Sequence, residues 1–198
     1  MRPTEEDRET FARAMRALAP LTPAELAEGL ALVRVRELAR GERLLRAHEQ
    51  ATDVAVVVKG LLREHFVLED GTERTKAFVL SGEASGSLAD LLSGAPSRAF
   101  IVAEEPTRLL VAPYAALRAL GARSPAWAAV GRASVEQLLL RKAEREWELL
   151  ALDAEQRYAR FRERHPGLEA RTLARHVASY LGITPAHLSR LRARRRAR

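Results

Sequence analysis

Between residues 34 and 112 the apolar residues come only in short runs, and a turn separates nearly every pair of them. The turns are Arg40-Gly41-Glu42, Lys59-Gly60, Glu69-Asp70-Gly71, Ser81-Gly82 and Ser93-Gly94-Ala95-Pro96. Between them lie Val54–Val58, Leu61–Leu68, Arg74–Leu80, Ala99–Ala103 and Arg108–Ala112. Runs this short cannot carry stable helices, and turns spaced by roughly 8–12 residues suggest an antiparallel barrel or sandwich. Asp70-Gly71 between two β-like runs is a strong hairpin signal.

The flanks follow a helical period. Residues 3–33 read as two short helices. In the second, Thr22 can cap, Pro23 takes the first helical position, and Leu26, Leu30 and Val33 share one side. Residues 124–152 open on a capping Ser124 and Pro125, contain no further proline, and carry their single Gly131 near the start. About 28 residues make roughly 42 Å of helix. Trp127, Val130, Val135, Leu138, Leu139, Trp147, Leu149 and Leu150 place apolar surface on more than one side, although Gln137 and Glu144 interrupt one stripe. A helix that packs its own domain on one side and a second copy of the chain on another has this character.

The charge is unevenly placed. Residues 157–198 hold 12 arginines, no lysine and two acids, a local charge of +10. The rest carries 21 bases against 24 acids, or −3, within a total of +7. Basicity gathered at one end points to nucleic acid or another anionic surface. No cysteine occurs, which removes disulfides, thiolate metal sites and cysteine nucleophiles. The first twenty residues lack an apolar core of the signal-peptide kind, and no stretch has the length of a membrane span, so a soluble cytoplasmic protein is expected.

Residues 172–196 carry the most specific pattern. Leu173, Val177 and Leu181 fall on one helical face from Thr172 to Leu181, and Gly182 ends that helix. Thr184 is a suitable N-cap, Pro185 fits the next first turn, and Ile183 and Leu188 stand at the positions of a hydrophobic staple. Leu188 and Leu191 bury one side, leaving Ser189, Arg190, Arg192 and Arg194 for the rest. Two short helices, a glycine turn, and a second helix rich in polar and arginine side chains make a helix-turn-helix. The competing reading is a plain αα-hairpin with a solvated arginine face.

With these residues in view the chain resembles the Crp/Fnr family of regulators, which carry a cyclic-nucleotide-binding-type β-roll. The C-terminal match includes Glu155-Gln156-Arg157-Tyr158, His165-Pro166-Gly167-Leu168, and Ala178-Ser179-Tyr180-Leu181-Gly182-Ile183-Thr184-Pro185 with Leu188-Ser189-Arg190. In the roll the matching pieces are Arg40-Gly41-Glu42, Lys59-Gly60-Leu61-Leu62-Arg63 and Asp70-Gly71-Thr72-Glu73. The resemblance implies a homodimer that binds double-stranded DNA, with a small effector sensed in the roll and RNA polymerase as a further partner. It places Thr184, His187, Ser189 and Arg190 on the groove surface and Arg192, Arg194, Arg195 and Arg196 at phosphates. Two departures stand out. The chain stops at Arg198, where family members continue into a β-hairpin wing, leaving the tail arginines to supply phosphate contacts. The Arg-Glu pair of many recognition helices is Pro185-Ala186 here.

The family's phosphate cassette pairs a Gly-Glu-Leu with a downstream Arg-Ser. This chain has Gly86-Ser87-Leu88 and, in reversed order, Ser97-Arg98. The ribose-binding carboxylate is lost, and a one-residue shift along extended chain turns an arginine to the opposite side. Ordinary cyclic AMP binding is therefore not expected; a different small ligand, or none, remains open, and no cofactor or metal is expected. The expected fold is α+β: N-terminal helices, an antiparallel β-roll of the double-stranded β-helix or jelly-roll kind, a long dimerisation helix, and a small helix-turn-helix domain. Boundaries are set at 1–122, 123–153 and 154–198. Two alternatives stand beside the DNA-binding regulator. One is a sensor or adaptor of the same fold that no longer binds DNA. The other is a cupin-like metalloenzyme, for which His48 and His65 lack the required His-x-His spacing.

Overall fold

Thr4 and Thr22 each open a helix by the same reciprocal device. In α1 (Glu5–Arg16) the Thr4 hydroxyl accepts from the Asp7 amide at 3.3 Å, while the Asp7 carboxylate accepts from the Thr4 amide at 2.7 Å. In α2 (Pro23–Leu30) Thr22 and Glu25 repeat the exchange at 3.3 and 2.8 Å. Both satisfy amides that a helix start leaves without partners. Asp7 has a second role. It is fully buried and takes two bonds from Arg108, at 2.9 and 2.8 Å, which hold its carboxyl at about 2 and tie α1 to the β domain.

The computed structural model describes residues 1–196, with side chains through Arg194. Eight strands follow α2: β1 (Arg34–Leu38), β2 (Arg43–Leu45), β3 (Asp53–Lys59), β4 (Leu61–Val67), β5 (Glu73–Leu80), β6 (Ala84–Ser85), β7 (Phe100–Ala103) and β8 (Thr107–Pro113), with the short helix α3 (Leu88–Ser93) after β6. They form two antiparallel four-stranded sheets, ordered β1-β8-β3-β6 and β2-β7-β4-β5. Leu38, Val57, Leu62, Val79, Ile101, Leu109 and Val111 cluster between the sheets. This is the expected antiparallel roll. The short-run pattern did not mark β1, β2 and β6. β1 is an edge strand whose Arg34, Arg36 and Glu37 side chains leave Leu38 as its one fully buried residue, and β6 is two residues long.

After β8 come α4 (Tyr114–Arg123) and the long α5 (Pro125–Ala151). Ser124 caps α5, as expected. The first turns of α5 belong to the N-terminal core: Trp127 stacks on Phe11 at 6.3 Å and donates its indole N–H to the Glu25 carbonyl at 3.0 Å. Beyond Val130 the helix leaves its own domain, and Val135, Leu139, Leu140, Trp147, Leu149 and Leu150 are exposed. The C-terminal part consists of α6 (Ala154–Arg164), a single 3-10 turn (Leu168–Ala170), α7 (Ala174–Leu181) and α8 (Pro185–Arg196). Among the described residues no helix is long and apolar enough to cross a membrane.

Candidate nucleic-acid interface and effector cassette

The turn between α7 and α8 is built as its residues dictate. Gly182 adopts φ +69°, a left-handed conformation that costs a glycine nothing. Ile183 packs into the helical core. The Thr184 hydroxyl then accepts from the His187 amide at 3.2 Å and starts α8. Val177, Leu181, Leu188 and Leu191 are buried, with Tyr158, Phe161 and Leu168 completing the cluster. Leu173 does not join that face; it precedes α7 as its N-cap and is 37% exposed.

With Leu188 and Leu191 turned inward, α8 presents Thr184, Ser189, Arg190 and Arg194 to solvent, while His187 is half-buried. Among the described residues neither Arg190 nor Arg194 has a carboxylate within ion-pair distance. Arg192 differs. It bonds Glu169 through Nε and Nη2 at 2.9 and 2.7 Å, and Glu169 also accepts from the Tyr158 hydroxyl at 3.0 Å. Its guanidinium therefore clamps α8 to the 3-10 turn. The side chains of Arg195 and Arg196 lie outside the described residues.

Two ionic clusters orient this helical unit. On the α5 side, Glu148 is 3% exposed and faces Arg145 and Arg160 at 3.3 Å and Arg164 at 2.8 Å. Arg145 also donates to the Tyr180 carbonyl and lies over its ring. His165 lies tilted against Phe161 and edge-on to Tyr180, where burial and the Arg164 charge pull its pKa down to about 4.

On the roll side, α7 lies against β5. Ser179 donates to the Glu73 carbonyl at 3.0 Å and accepts from the Thr75 amide at 2.8 Å. Phe78 meets Tyr180 at 5.6 Å. Beneath them Arg63, 3% exposed, donates to Glu104 at 2.7 Å and Glu73 at 2.6 Å. Glu104 passes the contact on, accepting from the Thr172 hydroxyl at 2.7 Å and meeting His176 Nδ1 at 2.9 Å. Burial raises the Glu104 carboxyl, but the bonds from His176, Thr172 and Arg63 outweigh it and hold the group at about 2. Arg171 adds bonds to Glu105 at 2.7 Å and the Gly60 carbonyl at 2.9 Å. His65 sits beside this network, stacked on Phe100 at 5.4 Å. Burial and the Arg63 charge lower its pKa to about 4. Arg43, Arg63, His65, Glu73, Phe100 and Val102 line a cleft of about 140 Å³ on this outer sheet face. The sequence carries no local signal of this network, because its partners are far apart in the chain: Arg63 and Glu104 come from the roll, and Thr172 and His176 from the helical unit that docks on it.

The cassette residues are brought together in part. Gly86 has φ +147°, and a Cβ there would come within 3.2 Å of the Asp53 carbonyl. Ser87 and Ser97 are buried, and Leu88 begins α3. Arg98 is the outward residue of its pair, with its side chain 81% exposed. Asp90, not singled out from the sequence, lies 5% exposed among them. It accepts from the Ser87 hydroxyl and from the Arg98 amide at 3.4 Å. The Ser-x-x-Asp spacing of Ser87 and Asp90 was a legible signal of this contact. Among the described residues no group of three or more His, Cys, Asp or Glu side chains is placed to hold a metal ion.

Residues 35–124 match the family model of the cyclic nucleotide-binding domain. No curated protein matches the chain. Among solved structures it is similar to FixK2 from Bradyrhizobium japonicum, with 22% identity and a TM-score of 0.71 over 82% of this chain and 83% of that one. It is similar to the c-di-GMP responsive global regulator CLP of Xanthomonas campestris, with 17% identity and a TM-score of 0.70 over 89% and 92%. The catabolite activator protein of Thermus thermophilus has 26% identity and a TM-score of 0.56 over 86% and 82%.

Proposed function

We propose that the protein is a DNA-binding transcription regulator acting as a homodimer, on the strength of the match of residues 35–124 to the cyclic nucleotide-binding domain and of a fold similar to that of Crp/Fnr regulators. The observation that carries this reading is the exposed face of α8. Leu188 and Leu191 anchor the helix, and Thr184, at its cap, with Ser189, Arg190 and Arg194 are exposed on its outer side. A helix so presented fits the major groove, where an arginine fork can take the O6 and N7 of guanine together. In this assignment Thr184, His187, Ser189 and Arg190 face bases and Arg194 faces phosphate; the assignment of Arg195 and Arg196 to phosphates rests on the sequence alone. Arg192 is reassigned to holding α8 in place.

The dimer rests on α5. Val135, Leu139, Leu149 and Leu150 leave apolar surface that this chain does not cover, on a helix long enough to pair with its copy. Two recognition helices related by a two-fold axis would then meet two half-sites. The domain division 1–122, 123–153 and 154–198 belongs to the same proposal, as do a signal received in the roll and contact with RNA polymerase. Genome-wide footprinting with the intact protein and with Arg190→Ala tests it. Discrete protected sites that lose definition in the variant are expected. Identical, sequence-independent protection by both proteins would contradict base reading by α8, and no protection by either would favour an adaptor that shares the fold.

A further inference from the structure

The cyclic nucleotide-binding family implies a cyclic phosphate at the cassette, and the residues here do not fit one. A phosphodiester needs donors and a cation free of a competing anion. Three of this cassette's donors are already engaged by the chain itself: the Ser87 hydroxyl and the Arg98 amide by Asp90, and the Ser97 hydroxyl by the Ala99 carbonyl. We infer that Asp90 is the cassette's resident anion: its carboxylate takes the hydrogen bonds a ligand phosphate would require, so the roll is closed to cyclic nucleotides.

The geometry around Asp90 is that of an anion site. Its Oδ2 accepts from the Ser87 hydroxyl and the Arg98 amide, and Oδ1 lies 3.7 Å from the Arg98 Nε. Asp90 is 5% exposed, on a helix that begins directly after Ser87. Burial alone would raise the carboxyl, yet the bonds from Ser87 and Arg98, with the Arg98 charge and the Ser97 hydroxyl, outweigh it and keep the group ionised. A second carboxylate lies close by in the chain's course. Glu64, 7% exposed, accepts from Ser85 at 3.1 Å and from Lys76 at 2.7 Å, one residue ahead of Gly86. Lys76 is thereby engaged as well. The Arg98 guanidinium, 81% exposed, stands outside. A phosphate entering here would meet like charge at a few ångströms, which lowers affinity by about a thousandfold at the effective dielectric of a protein surface. The consequence for control rests on the regulator reading: α3 is held by Asp90, and DNA binding needs no cyclic nucleotide.

The test is a titration of the full chain with cyclic AMP, cyclic GMP and inorganic phosphate, read by calorimetry and by melting temperature. The wild-type protein should give no saturable heat and no shift. Asp90→Ala, which frees the donors, should gain a saturable rise of about 5 °C at roughly a hundredfold excess of anion over its Kd. Asp90→Asn, of unchanged size, should respond in the same direction and stands in where the smaller side chain fails to fold. Micromolar binding of either nucleotide by wild type would overturn the inference, as would folded variants indifferent to all three anions. DNA binding without nucleotide is scored separately: its failure would strike the regulator reading and leave the anion titration intact.

Discussion

Arg192 and Arg194 are two positions apart on one helix and are committed differently. Arg192 is held by Glu169, which also accepts from Tyr158, while Arg194 is exposed. Arg192→Ala should therefore cost about 1–3 kcal/mol in urea unfolding, because it removes the two charged hydrogen bonds to a part-buried carboxylate and leaves only Arg162 at 3.5 Å. It should leave the salt dependence of DNA binding unchanged. Arg194→Ala should do the reverse, reducing the slope of log affinity against log salt by about one and leaving stability intact. Equal salt slopes for the two variants would contradict the division. Arg190→Ala should cost about 1–3 kcal/mol of discrimination between specific and random duplexes, and a loss of the same size on both would remove it from base contact. The +10 of residues 157–198 was legible from the sequence; its allocation was not. Arg157, Arg160, Arg162, Arg164, Arg171 and Arg192 bind carboxylates or backbone carbonyls inside the fold. Their partners, such as Glu105 and Glu144, are distant in sequence, so a count of charge overstates the surface available to DNA.

At the scale of elements, local signals were reliable where they were sufficient. Glycine turns bounded most of the strands, Thr22, Ser124 and Thr184 capped the helices they preceded, and Gly182 made the turn. Packing between distant elements had no local signal. Glu144 read as a break in an apolar stripe, whereas it faces Arg160 beside Glu148. Glu148→Gln should leave Arg145, Arg160 and Arg164 without a full counter-charge. A loss of about 3 kcal/mol, with faster hydrogen exchange in α6, is expected; unchanged exchange would contradict this role of Glu148. His165 and His65 make a second prediction. Their folded pKa values, about 4, lie below the ordinary 6.5, so the unfolded chain binds more protons between those values. Stability is then fully present above pH 6.5 and is lost as pH falls toward 4, by up to about 1.4 kcal/mol per pH unit for each histidine. The melting temperature should fall across that window, and His165→Phe should make the fall shallower. A melting temperature independent of pH from 7 to 4 would exclude both assignments.

In the whole molecule, α5 and the α7–β5 contact set where α8 stands. α5 carries exposed Leu139 and Leu150, and the roll holds α7 through Ser179, Glu104 and Arg171. Leu139→Glu combined with Leu150→Glu should convert a dimer to a folded monomer in sedimentation equilibrium and abolish tight binding to two-fold sites. A variant that remains dimeric would place the interface elsewhere. The central claim is that two copies present α8 together to one duplex, and selection of random-sequence DNA by the purified full chain tests it most directly. The account predicts enrichment of an inverted repeat with half-sites about 10–10.5 base pairs, or a multiple, apart. Recovery of unenriched DNA at low salt, or of an asymmetric motif with no repeat, would contradict it.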